Sequence, residues 1–88
     1  AHRAGLPCTP HGPFHSLQKV VNLHLVAAMD DPAPYPFEYR VPRGEGAQSY
    51  EPEPLVEDGT LSVPDGPGWG VEVTPAWLEG AERVRTQR

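Results

Sequence analysis

The chain has 88 residues, 38% hydrophobic and 22% charged, with a formal net charge of -5. That length suits one small domain. The charge excludes a phosphate-backbone or anionic-lipid partner, which needs clustered Lys and Arg, and the single cysteine, Cys8, excludes an internal disulfide framework.

The 12 prolines and 9 glycines fall in loops around apolar runs, where they punctuate structure more than they replace it. No run is apolar enough to cross a bilayer and no leader pattern opens the chain, so a cytoplasmic location is expected. His2-Arg3-Ala4-Gly5 reads as the end of a helix with Gly5 at the stop position, which implies a preceding segment of chain. Residues 6–9 are a short apolar run before a proline and read as a strand, with Pro7 tolerated at its start. Residues 10–15 are a loop.

Ser16 is placed to cap a helix over residues 17–29, whose apolar positions start with helical spacing and become apolar almost all round. Asp30-Asp31-Pro32 ends it. Residues 37–41, between Pro36 and Pro42, read as a second strand. Strand, helix and strand make one βαβ unit and so a parallel pair, which alone is too little, because a parallel sheet is covered on both faces. Residues 43–53 are a polar loop. Leu55-Val56-Glu57 and Thr60-Leu61-Ser62-Val63 flank Asp58-Gly59, a two-residue hairpin signal. Residues 64–70 form a Gly/Pro turn and residues 71–73 a further strand. Thr74-Pro75 then combines a capping residue with proline at the first helical position of a helix over residues 76–84. There is no internal repeat, and Arg83, Arg85 and Arg88 form a solvated basic tail.

Cys8, His11 and His15 within CTPHGPFH, with His24 as a fourth ligand, are the residue types of a zinc site, yet their spacing fits no common zinc-finger pattern. A second alternative is a non-catalytic interaction module built on Pro32, Pro34, Pro36, Pro52 and Pro54 and the acidic stretch 51–57. These prolines lack the flanking arginine or aromatic pattern of polyproline ligands.

Thr9-Pro10-His11-Gly12, the LHLVAA stretch at 23–28, Phe37-Glu38-Tyr39 and above all VPDGPGWGVEV at 63–73 resemble the C-terminal end of the enolase superfamily, in its mandelate racemase / muconate-lactonizing branch of racemases and acid-sugar dehydratases. Trp69 stands where that family commonly has Leu. The resemblance spans essentially the whole chain and implies an α/β fold. Residues 6–11 become the seventh strand of a modified (β/α) barrel, 16–29 the following helix, 37–41 the eighth strand, and 51–88 a hairpin and helix returning to an α+β cap domain. The domain boundary is placed with 1–43 in the barrel and 44–88 in the cap.

Catalytic groups of such barrels sit at the C-terminal ends of strands, so a parallel connection sets His11 and Glu38 side by side on one rim. The resemblance implies that His11 is a general acid/base for the α-proton of a carboxylate substrate and Glu38 the hydrogen-bond partner of the enediolate. Glu38 can donate that bond only if its surroundings raise its pKa. A lysine or histidine base with Mg²⁺ is the known division of labour in such sites. The family's Mg²⁺ carboxylates, the aspartate behind the histidine and the further lysine base have no counterpart in these 88 residues. The chain is therefore expected to be a C-terminal fragment, inactive alone, of a homo-oligomeric, Mg²⁺-dependent dehydratase or racemase acting on an acid sugar. His15 and His24 are assigned structural roles, His24 against a backbone carbonyl, and Trp69 and Trp77 are assigned to packing.

Overall fold

A computed structural model describes residues 1–12, 17–29, 36–40 and 49–87. His2–Ala4 form a single 3-10 turn that Gly5 closes in the left-handed conformation, as its helix-stop pattern predicts. Helix α1 spans Gln18–Ala27, within two residues of the predicted 17–29 at either end. Leu17 occupies its N-cap position with no side-chain cap; the predicted cap Ser16 and terminator 30–32 lie outside the described residues. The buried face of α1 is Lys19, Val20, Asn22, Leu23 and Val26, spaced as one helical stripe. The predicted all-round burial does not hold: Leu25 is about half exposed and Ala27 and Ala28 face solvent.

Four two-residue strands follow: β1 Tyr50–Glu51, β2 Val56–Glu57, β3 Thr60–Leu61 and β4 Glu72–Val73. β2 and β3 are the predicted hairpin, pairing Val56 with Leu61 and Glu57 with Thr60. Asp58 (φ 50°) and Gly59 (φ 74°) both take positive φ, the requirement of the tight turn whose twist matches the flanking strands. β1 pairs antiparallel with β4, Tyr50 opposite Val73 and Glu51 opposite Glu72, so a strand arises inside the stretch expected to be a polar loop. Thr74 continues the pairing by donating its N–H to the Ser49 carbonyl at 3.0 Å. It then precedes Pro75 at the start of helix α2, Pro75–Glu79.

Two expectations need correction. α2 stops at Gly80 instead of running to 84: glycine is a poor helix former, and Trp77 and Leu78 stay about half exposed, so no packing sustains a longer helix. Residues 6–10 and 36–40 form no ladder, and both sheets among the described residues are antiparallel pairs. Pro7 and Pro10 have no N–H to give, and a parallel pair depends on cover over both faces. The residues that follow the first segment still meet the second, where the Glu38 side chain reaches His11 and the Gly12 N–H. The described architecture is thus a small mixed α/β unit of two helices and short hairpins. Its buried centre is Val20, Leu23 and Val26 of α1 with Tyr50 of β1.

Candidate functional site

Glu38 reaches the loop that precedes α1. Its Oε2 accepts the Gly12 N–H at 2.8 Å and lies 2.9 Å from His11 Nδ1. The paired placement expected of His11 and Glu38 is therefore present, without the parallel ladder that was expected to create it. Behind the pair, Asn22 of α1, buried on the apolar stripe, donates from Nδ2 to the His11 carbonyl at 3.0 Å. Gly12 sits where these groups converge: a Cβ there would stand 3.4 Å from the Glu38 carbonyl oxygen and 3.8 Å from Asn22 Nδ2. Main chain, helix and carboxylate thus fix the base of His11 while its ring remains largely exposed (78% for the side chain).

The charge state of Glu38 follows from its donors. The Gly12 N–H holds its carboxyl below the ordinary 4.5 and outweighs the partial desolvation that acts the other way; His11 and Arg40 pull in the same direction as Gly12. Arg40 Nη2 lies 3.7 Å from the other oxygen, Oε1. The raised pKa that Glu38 would need in order to donate is opposed here: these surroundings favour a carboxylate that accepts.

A second polar group lies one turn earlier on α1. Lys19 is buried against the chain after β1, its Nζ paired with Glu53 Oε1 and 4.9 Å from the centre of the Tyr39 ring. Tyr39 donates weakly to the Pro54 carbonyl at 3.4 Å. Tyr50 is buried, and its hydroxyl makes no hydrogen bond of ordinary geometry among the described residues; burial first, then the Glu53 carboxylate close to the phenol as acceptor and as charge, raises its pKa. Neither Lys19 nor Asn22 was singled out from sequence. The available signal was a lysine and an asparagine three apart among Val20, Leu23 and Val26, since a polar group on a buried stripe demands a partner.

Nothing described supports the zinc reading. No group of three or more His, Cys, Asp or Glu side chains is gathered to hold a metal ion among the described residues, and His15 lies outside them. His24 meets a backbone carbonyl as expected: its Nε2 is 2.8 Å from the Trp69 oxygen, with the two rings edge to face at 5.5 Å. Trp69 and Trp77, expected as packing residues, are each about half exposed. A cleft of about 750 Å³ opens beside β1 and β4, lined in part by Glu51, Glu53 and Glu72. Neither His11 nor Glu38 lines it. No described helix is long and apolar enough to cross a membrane.

The family model described as Enolase C-terminal domain-like matches residues 1–77. No curated protein and no solved structure matches the chain. The superfamily binds carboxylate substrates and is typically Mg²⁺-dependent; the described residues offer no cage for that ion. With the family's pattern carried from the first turn into α2, the chain belongs to the enolase superfamily, as part of its mandelate racemase-like C-terminal domain.

Proposed function

We propose that this chain supplies the proton-transfer corner of an enzyme that abstracts the α-proton of a carboxylate substrate, an acid sugar, through an enediolate. His11 is the general acid/base. The observation that carries this reading is the 2.9 Å approach of His11 Nδ1 to Glu38 Oε2. A carboxylate acceptor keeps the proton on Nδ1, so Nε2 of the neutral ring has a free lone pair and the exposed edge of the ring is the basic one. A positioned histidine of this kind contributes roughly 10² to 10⁴-fold through proton transfer. In a racemase His11 serves one face of the α-carbon; in a dehydratase it returns the proton to the departing hydroxyl. Both use the same nitrogen. Glu38 is the partner beside it, and residues 1–43 are assigned to the barrel and 44–88 to the cap. A Mg²⁺ ion, where the family's chemistry uses one, takes its ligands from outside the described residues.

The test is α-hydrogen exchange. The protein encoded by the reading frame in which this chain occurs is incubated with a panel of acid sugars in deuterated water, and α-proton loss is followed by NMR. Exchange is expected for at least one acid sugar, and His11→Asn should lower it by at least about 10²-fold. Exchange that survives His11→Asn unchanged, or no exchange with any member of the panel, would refute the reading.

A further inference from the structure

We infer that Arg40 is a specificity-determining residue: it receives a second carboxylate of the substrate, so the acid sugar that fits this site carries a carboxylate at both ends. This rests on the acid-sugar reading above and adds to it the far end of the substrate.

The Glu38 carboxylate joins three side chains in a row. His11 Nδ1 approaches Oε2 at 2.9 Å, and Arg40 Nη2 approaches the other oxygen, Oε1, at 3.7 Å. The proton-transfer group and the cation therefore serve different oxygens of one carboxylate. A substrate whose α-carbon lies at His11 and whose chain runs past Glu38 extends toward Arg40. The row is open to a ligand: the side chains of His11, Glu38 and Arg40 are 78%, 38% and 30% exposed.

The chemistry of that far end follows from the guanidinium. Its five N–H donors lie in a planar fork that matches a carboxylate in two places at once. The approach to Glu38 is an ion pair, longer than a hydrogen bond, and one fork can serve Glu38 and a second acceptor together. Among the described residues, Arg40 is the Lys or Arg side chain that acts on Glu38, while the buried Lys19 is committed to Glu53. In a chain of net charge -5, a second substrate carboxylate beside the Glu38 anion needs such a cation. A primary alcohol at that end does not need it and cannot engage both arms of the fork.

The test compares acid sugars that differ only at the far end: an aldarate, with a carboxylate at each end, and the aldonate of the same stereochemistry, with an alcohol there. Isothermal titration calorimetry is run with Mg²⁺ supplied on the protein encoded by the reading frame in which this chain occurs, in a His11→Asn background so that the ligand is not consumed. For at least one pair the aldarate should bind about tenfold more tightly or better, the scale of a hydrogen bond between charged groups. Arg40→Met should bring that ratio to parity, and Arg40→Gln, also neutral, decides should the Met variant not fold. Arg40→Lys, which keeps the charge without the fork, should retain a reduced preference. Equal affinities in every pair, a preference that survives loss of the Arg40 charge, or no binding of any aldarate would overturn the inference. The readout is a ratio of affinities and needs no turnover, so failure of the proton-transfer reading appears in the exchange assay and failure of the Arg40 role appears here.

Discussion

Glu53→Leu should destabilise the chain more than Lys19→Met, although the two changes break the same ion pair. The Lys19 side chain is 4% exposed and that of Glu53 17%. Removing one partner of a buried pair typically costs about 3–5 kcal/mol, because the charge left behind is uncompensated. Glu53→Leu strands an ammonium group with almost no water, helped only by the Tyr39 ring at 4.9 Å, an interaction of up to about 2 kcal/mol when desolvated. A loss of roughly 3 kcal/mol is therefore expected. Lys19→Met leaves a carboxylate that water still reaches in part, and methionine refills the volume beside Tyr39, so about 1–2 kcal/mol is expected, near the lower range for an unsatisfied polar group. The double variant Lys19→Met/Glu53→Leu buries no charge and should return to within about 1 kcal/mol of the parent, since apolar replacements of buried pairs are often neutral. Urea titration followed by far-UV circular dichroism gives all four corners of the cycle. If Lys19→Met proves the more damaging single change, or if the double variant loses the sum of both, the claim that Lys19 is held by its pair rather than by packing is wrong.

Gly70 has φ 76°, and a Cβ there would lie 2.6 Å from backbone and side-chain atoms of Pro64. Gly70→Ala should lower stability by more than the roughly 1–2 kcal/mol of a left-handed alanine, whereas Gly12→Ala, whose nearest neighbour is at 3.4 Å, should be tolerated; thermal melts of both variants compare them. Tyr50→Phe removes a buried hydroxyl that makes no hydrogen bond of ordinary geometry among the described residues and should raise stability by about 1 kcal/mol, read as a rise in Tm of about 4–8 °C. The phenol is held above its ordinary 10.0 in the folded chain, so its contribution is complete below that value and is lost as pH rises through the higher folded one. Alkaline unfolding of the parent should therefore steepen above pH 10.0, and Tyr50→Phe should flatten that limb.

What could be read in the sequence was what is decided locally. Asp58-Gly59 announced its hairpin because few other residues accept two successive positive φ values, and α1 announced itself by its apolar period. His24 was matched to a carbonyl because a histidine amid aliphatic neighbours needs an acceptor nearby. The pairing of Tyr50 with Val73 was not legible: it joins segments distant along the chain, and two-residue strands leave no alternating pattern to register. The predicted parallel strands failed in the opposite sense. Their composition fits a sheet, but a ladder requires neighbours as well as propensity, and among the described residues Glu38 of the second segment bonds instead to Gly12, just past the end of the first. His11 and Glu38 were found by resemblance to a motif, yet the motif is silent on ionisation, which depends on the Gly12 N–H and on Arg40.

The two oxygens of Glu38 have separate surroundings, and this bears on how one residue could serve both roles considered for it. Oε2 is committed to Gly12 and His11. Only Oε1 remains for a substrate, and it faces Arg40 at 3.7 Å. A protonated Glu38 could keep Oε2 as an acceptor and donate from Oε1, so the positioning of His11 and a hydrogen bond to an enediolate are chemically compatible. What opposes them is the anion-stabilising environment: a cation beside Oε1 disfavours the proton at the oxygen that would have to carry it. Arg40→Met should therefore raise the Glu38 pKa, though not remove its depression, because the Gly12 N–H is the larger cause. The consequence for folding follows in sign. With the folded value below the ordinary 4.5, the contribution of Glu38 is complete above that pH and is lost as pH falls through the lower folded value. In Arg40→Met the loss should be smaller and should end at a higher pH, and in Glu38→Gln this acid limb should vanish. Carboxyl ¹³C titration gives the pKa directly, and acid unfolding by circular dichroism gives the limb. A Glu38 resonance that titrates identically with and without the Arg40 guanidinium would mean that Oε1 does not sense Arg40, and the barrier to its protonation would then lie wholly in the Gly12 bond.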